Sequence, residues 1–324
     1  MVDVNNIFSV STPDFAALCR ETFEFQYTSN PLYLEWCKRL GRDVSNIRYI
    51  TDIPALPIAF FKQTKVHTSE FTPQVVFESS GTTGQQSSYH EVKDVNLYEQ
   101  SYSQGFRLFY GEPAEWCILA LLPSYLERGN SSLVYMVNGL MQQSKHPLNG
   151  FYLNNTAELA DRLRQVEAAG QRTLLIGVTY ALLDFAEQFP MALQHTVVME
   201  TGGMKGRREE LTREQVHELL RDGFQIKQVH SEYGMTELLS QAYSTGAGRF
   251  VCPPWMRVWV RDERDPLLVR TEGEGVLQVV DLANRYSCAF IATDDVGRVY
   301  ADGSFEVWGR RDHSDLRGCS LLSV

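Results

Sequence analysis

Between residues 115 and 234 short apolar runs alternate with segments of helical period, and this alternation leaves few folds open. "EWCILALLPS" and "RTLLIGVTY" are apolar throughout and bounded, as strands covered on both faces are. Between them, "TAELADRLRQVEAAG" repeats its apolar residues every third or fourth position and stops at Gly170. "HTVVMETGG" reads as another strand, and "LTREQVHELLRDGF" as another helix, with Thr212 at its start and Gly223 at its end. "IKQVHSEYG" then reads as a strand running into a turn. Neighbouring parallel strands need a crossover, and a helix normally supplies it, so the pattern predicts an α/β core with a mainly parallel central sheet.

The flanks differ from this core. The first seventy residues read as mostly helical, with Ser11 or Thr12 capping one helix behind Pro13, and Asn30-Pro31 opening a second that stops at Gly41. "IPALPIAFFK" reads as a Pro-interrupted connector leading to the strand "PQVVFESS". From about residue 250, "MRVWVRDERDPLLVRTEGEGVLQVVDL" and "GRVYADGSFEVWGRR" alternate at strand period around "DPL", "GEG" and "DGS" turns, a smaller antiparallel portion. The expected division is a helical segment over 1–75, an α/β core over 76–245, a β-rich subdomain over 246–318 and a tail over 319–324.

Composition narrows the function. With 44% hydrophobic and 22% charged residues a true core is expected. A net charge of −10 excludes a surface built for nucleic acid or anionic lipid, so any anion site must be local. No apolar run reaches the ~20 residues of a membrane span, and the N-terminus lacks the marks of a signal peptide. Cys19, Cys37, Cys117, Cys252, Cys288 and Cys319 are scattered without a CxxC pair, which predicts no zinc site, no disulfide framework and a cytoplasmic protein.

"FESSGTTGQQSSYH", residues 77–90, follows a strand with short hydroxyl side chains and glycines. Such a loop buries little but offers clustered backbone N–H groups, a phosphate cradle in composition. It has neither the Walker nor the dinucleotide spacing. Three further segments supply what a nucleotide needs. "SEYGMTE" (231–237) brings an aromatic ring, a hydroxyl and a carboxylate into one turn. "TDDVGRV" (293–299) has paired carboxylates before a glycine turn, and "GRRDHSDLRG" (309–318) has arginines and aspartates. No GxSxG elbow is present.

As an ordered set these segments resemble the adenylate-forming superfamily of acyl and aryl ligases, most of all the LuxE-type acyl-protein synthetases (long-chain fatty acid–protein ligases), over nearly the whole chain. The resemblance implies the N-terminal-type fold of that superfamily, without its mobile C-terminal domain and that domain's lysine. It implies ATP and Mg²⁺ as cofactors. Ser79, Ser80, Gly81, Thr82, Thr83 and Gly84 would wrap the phosphates, and Gly202 and Gly203 would lie along the adenine. Tyr233 would stack on the nucleoside, Thr236 would bond the α-phosphate and Glu237 would ligate the metal. Asp295, with Arg310 beside it, would take the ribose hydroxyls.

The same family accepts its acyl group on a cysteine near the C-terminus, and Cys319 in "RGCSLLSV" matches that position. The expected reaction is activation of a fatty or other apolar carboxylic acid to acyl-AMP, then transfer to Cys319 and onward to a partner such as a fatty-acid reductase. Two other readings share the nucleotide motifs: an acyl- or aryl-CoA ligase of the phenylacetate type, and a non-catalytic nucleotide-binding scaffold subunit. Cys19, Cys37, Cys117 and Cys288 read as core residues and His230 as a packed strand residue. His90 reads either as a phosphate contact or as a solvated surface residue, and Lys205 equally as a site residue or a solvated charge. Tyr125, Phe151 and Tyr180 either line the acyl pocket or pack in the core.

Overall fold

The computed structural model describes residues 7–11, 14–79, 86–202 and 211–311. Helices α1 (Phe15–Ser29) and α2 (Pro31–Arg39) open the chain. The start of α1 corrects the expected cap: Asp14 stands at the N-cap without a side-chain cap bond, and the Ser11 hydroxyl bonds to Asp14 instead. At α2 the expected signal operates, with Asn30 Oδ1 accepting from the Tyr33 N–H at 3.0 Å and Pro31 in the first turn. The connector that follows contains a two-residue strand, β1 (Leu56–Pro57), and a short helix, α3 (Phe60–Gln63). A two-stranded hairpin, β2 (Val75–Glu78) and β3 (Tyr89–Val92), then carries the hydroxyl-rich loop between its arms.

The alternating segment is laid out as α4 (Val95–Tyr110), β4 (Cys117–Leu121), α5 (Tyr125–Arg128), α6 (Ser132–Ser144), β5 (Gly150–Phe151), α7 (Thr156–Ala168), β6 (Thr173–Val178), α8 (Thr179–Gln188), β7 (Thr196–Thr201), α9 (Arg213–Phe224), β8 (His230–Tyr233) and β9 (Ala242–Ser244). The sheet order is β5-β4-β6-β7-β8-β9, parallel at every pairing except β8 with β9. All residues of β4 and β6 are buried, which is why these strands read as unbroken apolar runs. Helix α9 has the predicted Thr212 cap, paired with Gln215 in a capping box. It does not stop at Gly223 but runs to Phe224, with Gln225 left-handed behind it. Gly223 serves packing instead, since a Cβ there would lie 2.9 Å from Ala186 Cβ on α8.

The rest of the chain forms β10 (Met256–Arg261), β11 (Val269–Arg270), β12 (Gly273–Asp281), β13 (Phe290–Val299) and β14 (Phe305–Arg310). They pair antiparallel in the order β13-β12-β10-β11, with β14 on β13 and β1 added parallel to β13. Two expected turns are strand instead. "GEG" opens β12, where a Cβ on Gly275 would meet the Arg261 carbonyl oxygen at 2.7 Å. The glycine of "DDVGR" lies inside β13, beside a register shift between Val296 and Gly297. "DGS" does turn, with Gly303 at φ 81°.

The two sheets meet at aromatic residues. Phe250 exchanges backbone hydrogen bonds with Phe305 at 2.7 and 2.9 Å, and their rings stack with centroids 5.4 Å apart. Tyr233, the last residue of β8, sets its ring against both, at 5.8 and 5.3 Å.

Candidate active site

The hairpin β2–β3 closes the base of the hydroxyl-rich loop. The Ser79 N–H donates to the Ser88 carbonyl at 3.0 Å, and the Ser88 N–H donates to Ser79 Oγ at 2.8 Å. Ser80, Gly81, Thr82, Thr83 and Gly84 lie outside the described residues. Past the loop, Gln86 Nε2 donates to the Lys62 carbonyl at 2.7 Å, which ties the exit of the loop to α3.

The turn after β8 comes against this base. Glu237 is 5% exposed. Burial pushes its carboxyl upward, while the Ser88 hydroxyl, its own backbone, the Arg310 guanidinium and the Lys62 ammonium pull the other way. Glu237 is therefore acted on by the Ser88 hydroxyl of the loop base and by the charges of Arg310 and Lys62. The turn is held from beneath by Asp281, which accepts from the Leu239 N–H at 2.8 Å and the Ser240 hydroxyl at 2.6 Å. Thr236, half-buried, precedes Glu237.

Asp295 and Arg310 are register partners on β13 and β14. Arg310 Nε lies 3.2 Å from Asp295 Oδ1, and the Tyr233 hydroxyl donates to Asp295 Oδ2 at 2.8 Å. The neighbouring strand and the distant end of β8 thus both reach one carboxylate. Asp295 is 6% exposed, whereas the Arg310 side chain is largely in solvent, so the group opens outward at the arginine.

Gly202 follows β7 with φ 73°, and its carbonyl accepts from the Thr179 hydroxyl at 2.8 Å. Gly203 and Lys205 lie outside the described residues, as does Cys319. Beneath Gly202 sit two buried carboxylates on adjacent strands. Glu200 takes the Thr179 hydroxyl at 3.1 Å and has Arg213 Nε at 3.4 Å and His217 Nε2 at 3.7 Å. Burial opposes its charge, yet His217 and Arg213 leave its carboxyl below the usual range. Glu232 has the Thr201 hydroxyl as its partner, and burial pushes it up to about 7, Thr201 opposing and the Glu200 charge adding to the rise.

Neither His90 nor His230 is exposed. His90 is 1% exposed, edge-on to Phe61, with Nδ1 2.9 Å from the Thr236 carbonyl; burial lowers it to about 4. Both earlier readings of His90 give way to this buried one. His230 packs against Tyr110, whose hydroxyl lies 3.2 Å from His230 Nδ1. Cys19, Cys37, Cys117 and Cys288 are core thiols, each fully buried. Phe151 and Tyr180 are half-buried against the core.

Sequence reasoning missed Ser88, Lys62 and Glu232. Ser88 had a signal, since a hairpin loop entered at Ser79 must be closed by a residue on the other arm. Lys62 and Glu232 had none, because each is set by tertiary packing alone.

The fit of the site to nucleotide and metal can be judged from the donor set. The described residues hold no cluster of three or more metal-ligating side chains. Mg²⁺ bound with a nucleotide needs only one or two carboxylates, the phosphates and water supplying the rest, and Glu237 beside Ser88 meets that need. Cations within reach of Glu237 suit a polyanion.

Loop base, turn and carboxylate–arginine pair lie together where a parallel sheet meets an antiparallel one. No family model matches the chain. Over 336 residues the chain is 25% identical to the long-chain-fatty-acid–luciferin-component ligase of Aliivibrio fischeri, spanning 94% of this chain and 86% of that one. Among solved structures, 2-hydroxyisobutyryl-CoA ligase in complex with 2-HIB-AMP and CoA superposes with a TM-score of 0.71 at 12% identity, over 93% of this chain and 68% of that one. The luciferase-like enzyme of the nonluminescent mealworm Zophobas morio gives a TM-score of 0.50 at 16% identity, over 76% and 60%. The chain thus shares the fold of these enzymes and is similar in sequence to the Aliivibrio fischeri ligase. No helix among the described residues is long and apolar enough to cross a membrane.

Proposed function

We propose that the chain activates a fatty or other apolar carboxylic acid with ATP and passes the acyl group to the Cys319 thiol and then to a partner protein. The observation that carries the first step is the convergence of Tyr233, Asp295 and Arg310 beside a Glu237 that faces the Ser79–Ser88 loop base. The similarity to a ligase named for a long-chain fatty acid supports the choice of acid.

In this reading the substrate carboxylate attacks the α-phosphorus. The new bond joins the acid oxygen to phosphorus, the bond to the β-phosphate oxygen breaks, and pyrophosphate leaves. Attacker and target are both anionic, so charge neutralisation is the first task. Lys62 and Arg310 supply positive potential around Glu237, and the Thr236 hydroxyl and the 79–84 loop supply hydrogen-bond donors. Mg²⁺ held at Glu237 would act as a Lewis acid on the phosphate oxygens. Asp295 orients the ribose, and the Tyr233 ring, backed by Phe250 and Phe305, gives the nucleoside a fixed wall. In the second step the Cys319 thiolate forms a bond to the acyl carbon, the acyl–phosphate bond breaks with AMP leaving, and the thiol proton goes to solvent. A partner thiol then exchanges for Cys319, as expected for delivery to a fatty-acid reductase.

The test is ATP–pyrophosphate exchange dependent on a carboxylic acid, together with intact mass after incubation with ATP and a panel of acids. Exchange abolished by Glu237→Ala, and a hydroxylamine-labile mass gain lost in Cys319→Ser, are expected. A mass gain that survives Cys319→Ser would put the acceptor elsewhere. The likeness to a CoA ligase favours a second reading, in which CoA is the acceptor. Formation of acyl-CoA on adding CoA, with no label on the protein, would select it.

A further inference from the structure

The Thr236–Glu237 turn is pinned at two consecutive carbonyl oxygens by side chains that belong to other parts of the fold. The Thr236 carbonyl takes a hydrogen bond from His90 Nδ1 at 2.9 Å. Because a carbonyl can only accept, Nδ1 carries the proton. The Glu237 carbonyl takes one from Asn284 Nδ2 at 2.7 Å. His90 is 1% exposed and Asn284 is fully buried, so water does not compete for either bond.

The placement of His90 gives the first bond its meaning. Ser88, His90 and Val92 recur at the strand period, and all three are buried. The chain that closes the loop at Ser88 thus reaches the turn twice. The Ser88 hydroxyl acts on the Glu237 carboxylate, and two residues on the His90 imidazole takes the Thr236 carbonyl. Asn284 approaches from the antiparallel sheet. Its own carbonyl and that of Arg285 are held by Gln26 Nε2 of α1 at 3.0 and 2.9 Å, and Gln26 Oε1 accepts from the Ala289 N–H at 3.0 Å.

We propose that His90 and Asn284 are positioning residues of the nucleotide site, which fix the peptide planes on either side of Glu237 and so hold the Thr236 hydroxyl and the Glu237 carboxylate in register with the Ser79–Ser88 loop base. With both carbonyls turned into the protein, the two side chains are left to face the loop base. Losing one bond frees a peptide plane to rotate and moves groups that must meet phosphate and metal. Displacements near 1 Å in a reacting array cost on the order of 100-fold in rate. The inference rests on the reading that this turn binds MgATP.

His90→Phe keeps a ring against Phe61 and removes the donor. His90→Asn restores an N–H at the place of Nδ1. MgATP affinity by calorimetry and carboxylate-dependent pyrophosphate exchange are measured on the full chain. The expected result for His90→Phe is MgATP binding weakened about tenfold or more, with KM for the acid unchanged and most of the loss recovered in His90→Asn. Asn284→Ala gives the same split, and the double variant loses less than the product of the single losses because both act on one turn. Unchanged MgATP affinity in a folded His90→Phe overturns the inference, as does a His90→Asn protein as impaired as His90→Phe. If His90→Phe does not fold, His90→Asn and Asn284→Ala decide by the same criterion: intact binding in Asn284→Ala, or loss in His90→Asn, refutes it. A wild-type chain that binds no MgATP refutes the underlying reading instead.

Discussion

Glu200 on β7 and Glu232 on β8 stand on neighbouring strands, yet they carry opposite consequences for stability. Glu200 shares its place with Arg213 and His217, while Glu232 has the Thr201 hydroxyl and the negative field of Glu200. Its carboxyl is moved from an ordinary 4.5 to about 7, chiefly by burial. At low pH Glu232 is protonated in native and unfolded chains alike and costs nothing. Between 4.5 and about 7 the unfolded chain has released this proton and the native one still holds it. The native state binds more protons in that window, so stability falls as pH rises through it and stays at the lower value above. At 1.36 kcal/mol per pH unit the full loss is about 3 kcal/mol. Glu232→Gln keeps an oxygen for Thr201 and removes the ionisation. Urea unfolding of both proteins near pH 4.5 and at pH 8 measures the effect through the midpoint at constant slope. The expectation is near-equal stability at the lower pH and a gain for the variant of about 3 kcal/mol at the higher one. A gain of the same size at both would refute the argument, because an effect of packing alone does not follow the proton.

Gly297→Ala should be among the most damaging single substitutions in the β-rich portion. Its Cβ would lie 1.9 Å from the Glu306 carbonyl oxygen, backbone that cannot yield without opening the β13–β14 pairing behind Asp295 and Arg310. A cost of about 3 kcal/mol is expected, read as a lowered Tm, and a wild-type Tm would exclude it. Asp295→Ala removes the acceptor shared by Tyr233 and Arg310. It should raise KM for ATP by about 10- to 100-fold through lost charge-assisted bonds, with KM for the acid little changed; equal effects on both substrates would argue against a ribose contact. Burial pushes the thiols of Cys19, Cys37 and Cys117 up to about 12, and that of Cys288 higher still. All four should resist iodoacetamide at pH 8 until urea is added, and peptide mapping that finds any of them alkylated in the native protein contradicts this.

The parts of the fold legible in the sequence were those governed by local rules. Unbroken apolar runs gave β4 and β6 because both faces of these strands are covered. Asn30 and Thr212 gave their helix starts because a cap is made within three residues. The hairpin arms flanking the hydroxyl-rich loop and the turn after β8 were legible because short hydroxyl and glycine residues after a strand mark a turn. What escaped was set by partners distant along the chain. His90 meets Thr236 across 146 residues, Asn284 meets Glu237 across 47, and Glu232 meets Thr201 across 31. Gly297 looked like a turn residue because glycine marks both turns and places where two backbones nearly touch, and only the second strand tells them apart. Strand β1 was hidden by its proline, Pro57, which a two-residue edge strand tolerates.

Tyr233 explains why the site sits at the junction of the two sheets. It ends β8, so its backbone belongs to the parallel sheet, while its ring lies on Phe250 and Phe305 and its hydroxyl on Asp295, all in the antiparallel portion. A ring clamped in this way loses little further freedom when a nucleoside arrives, so less of the binding free energy goes into ordering it. The same clamp fixes the turn that follows, since Thr236 and Glu237 are three and four residues beyond a residue that cannot rotate. Asp281 and Asn284 hold that turn from the antiparallel side and His90 from the hairpin. Thr236 and Glu237 are therefore positioned by elements other than their own, which in the proposed reading is how a chain with a net charge of −10 gathers donors and cations around one anion.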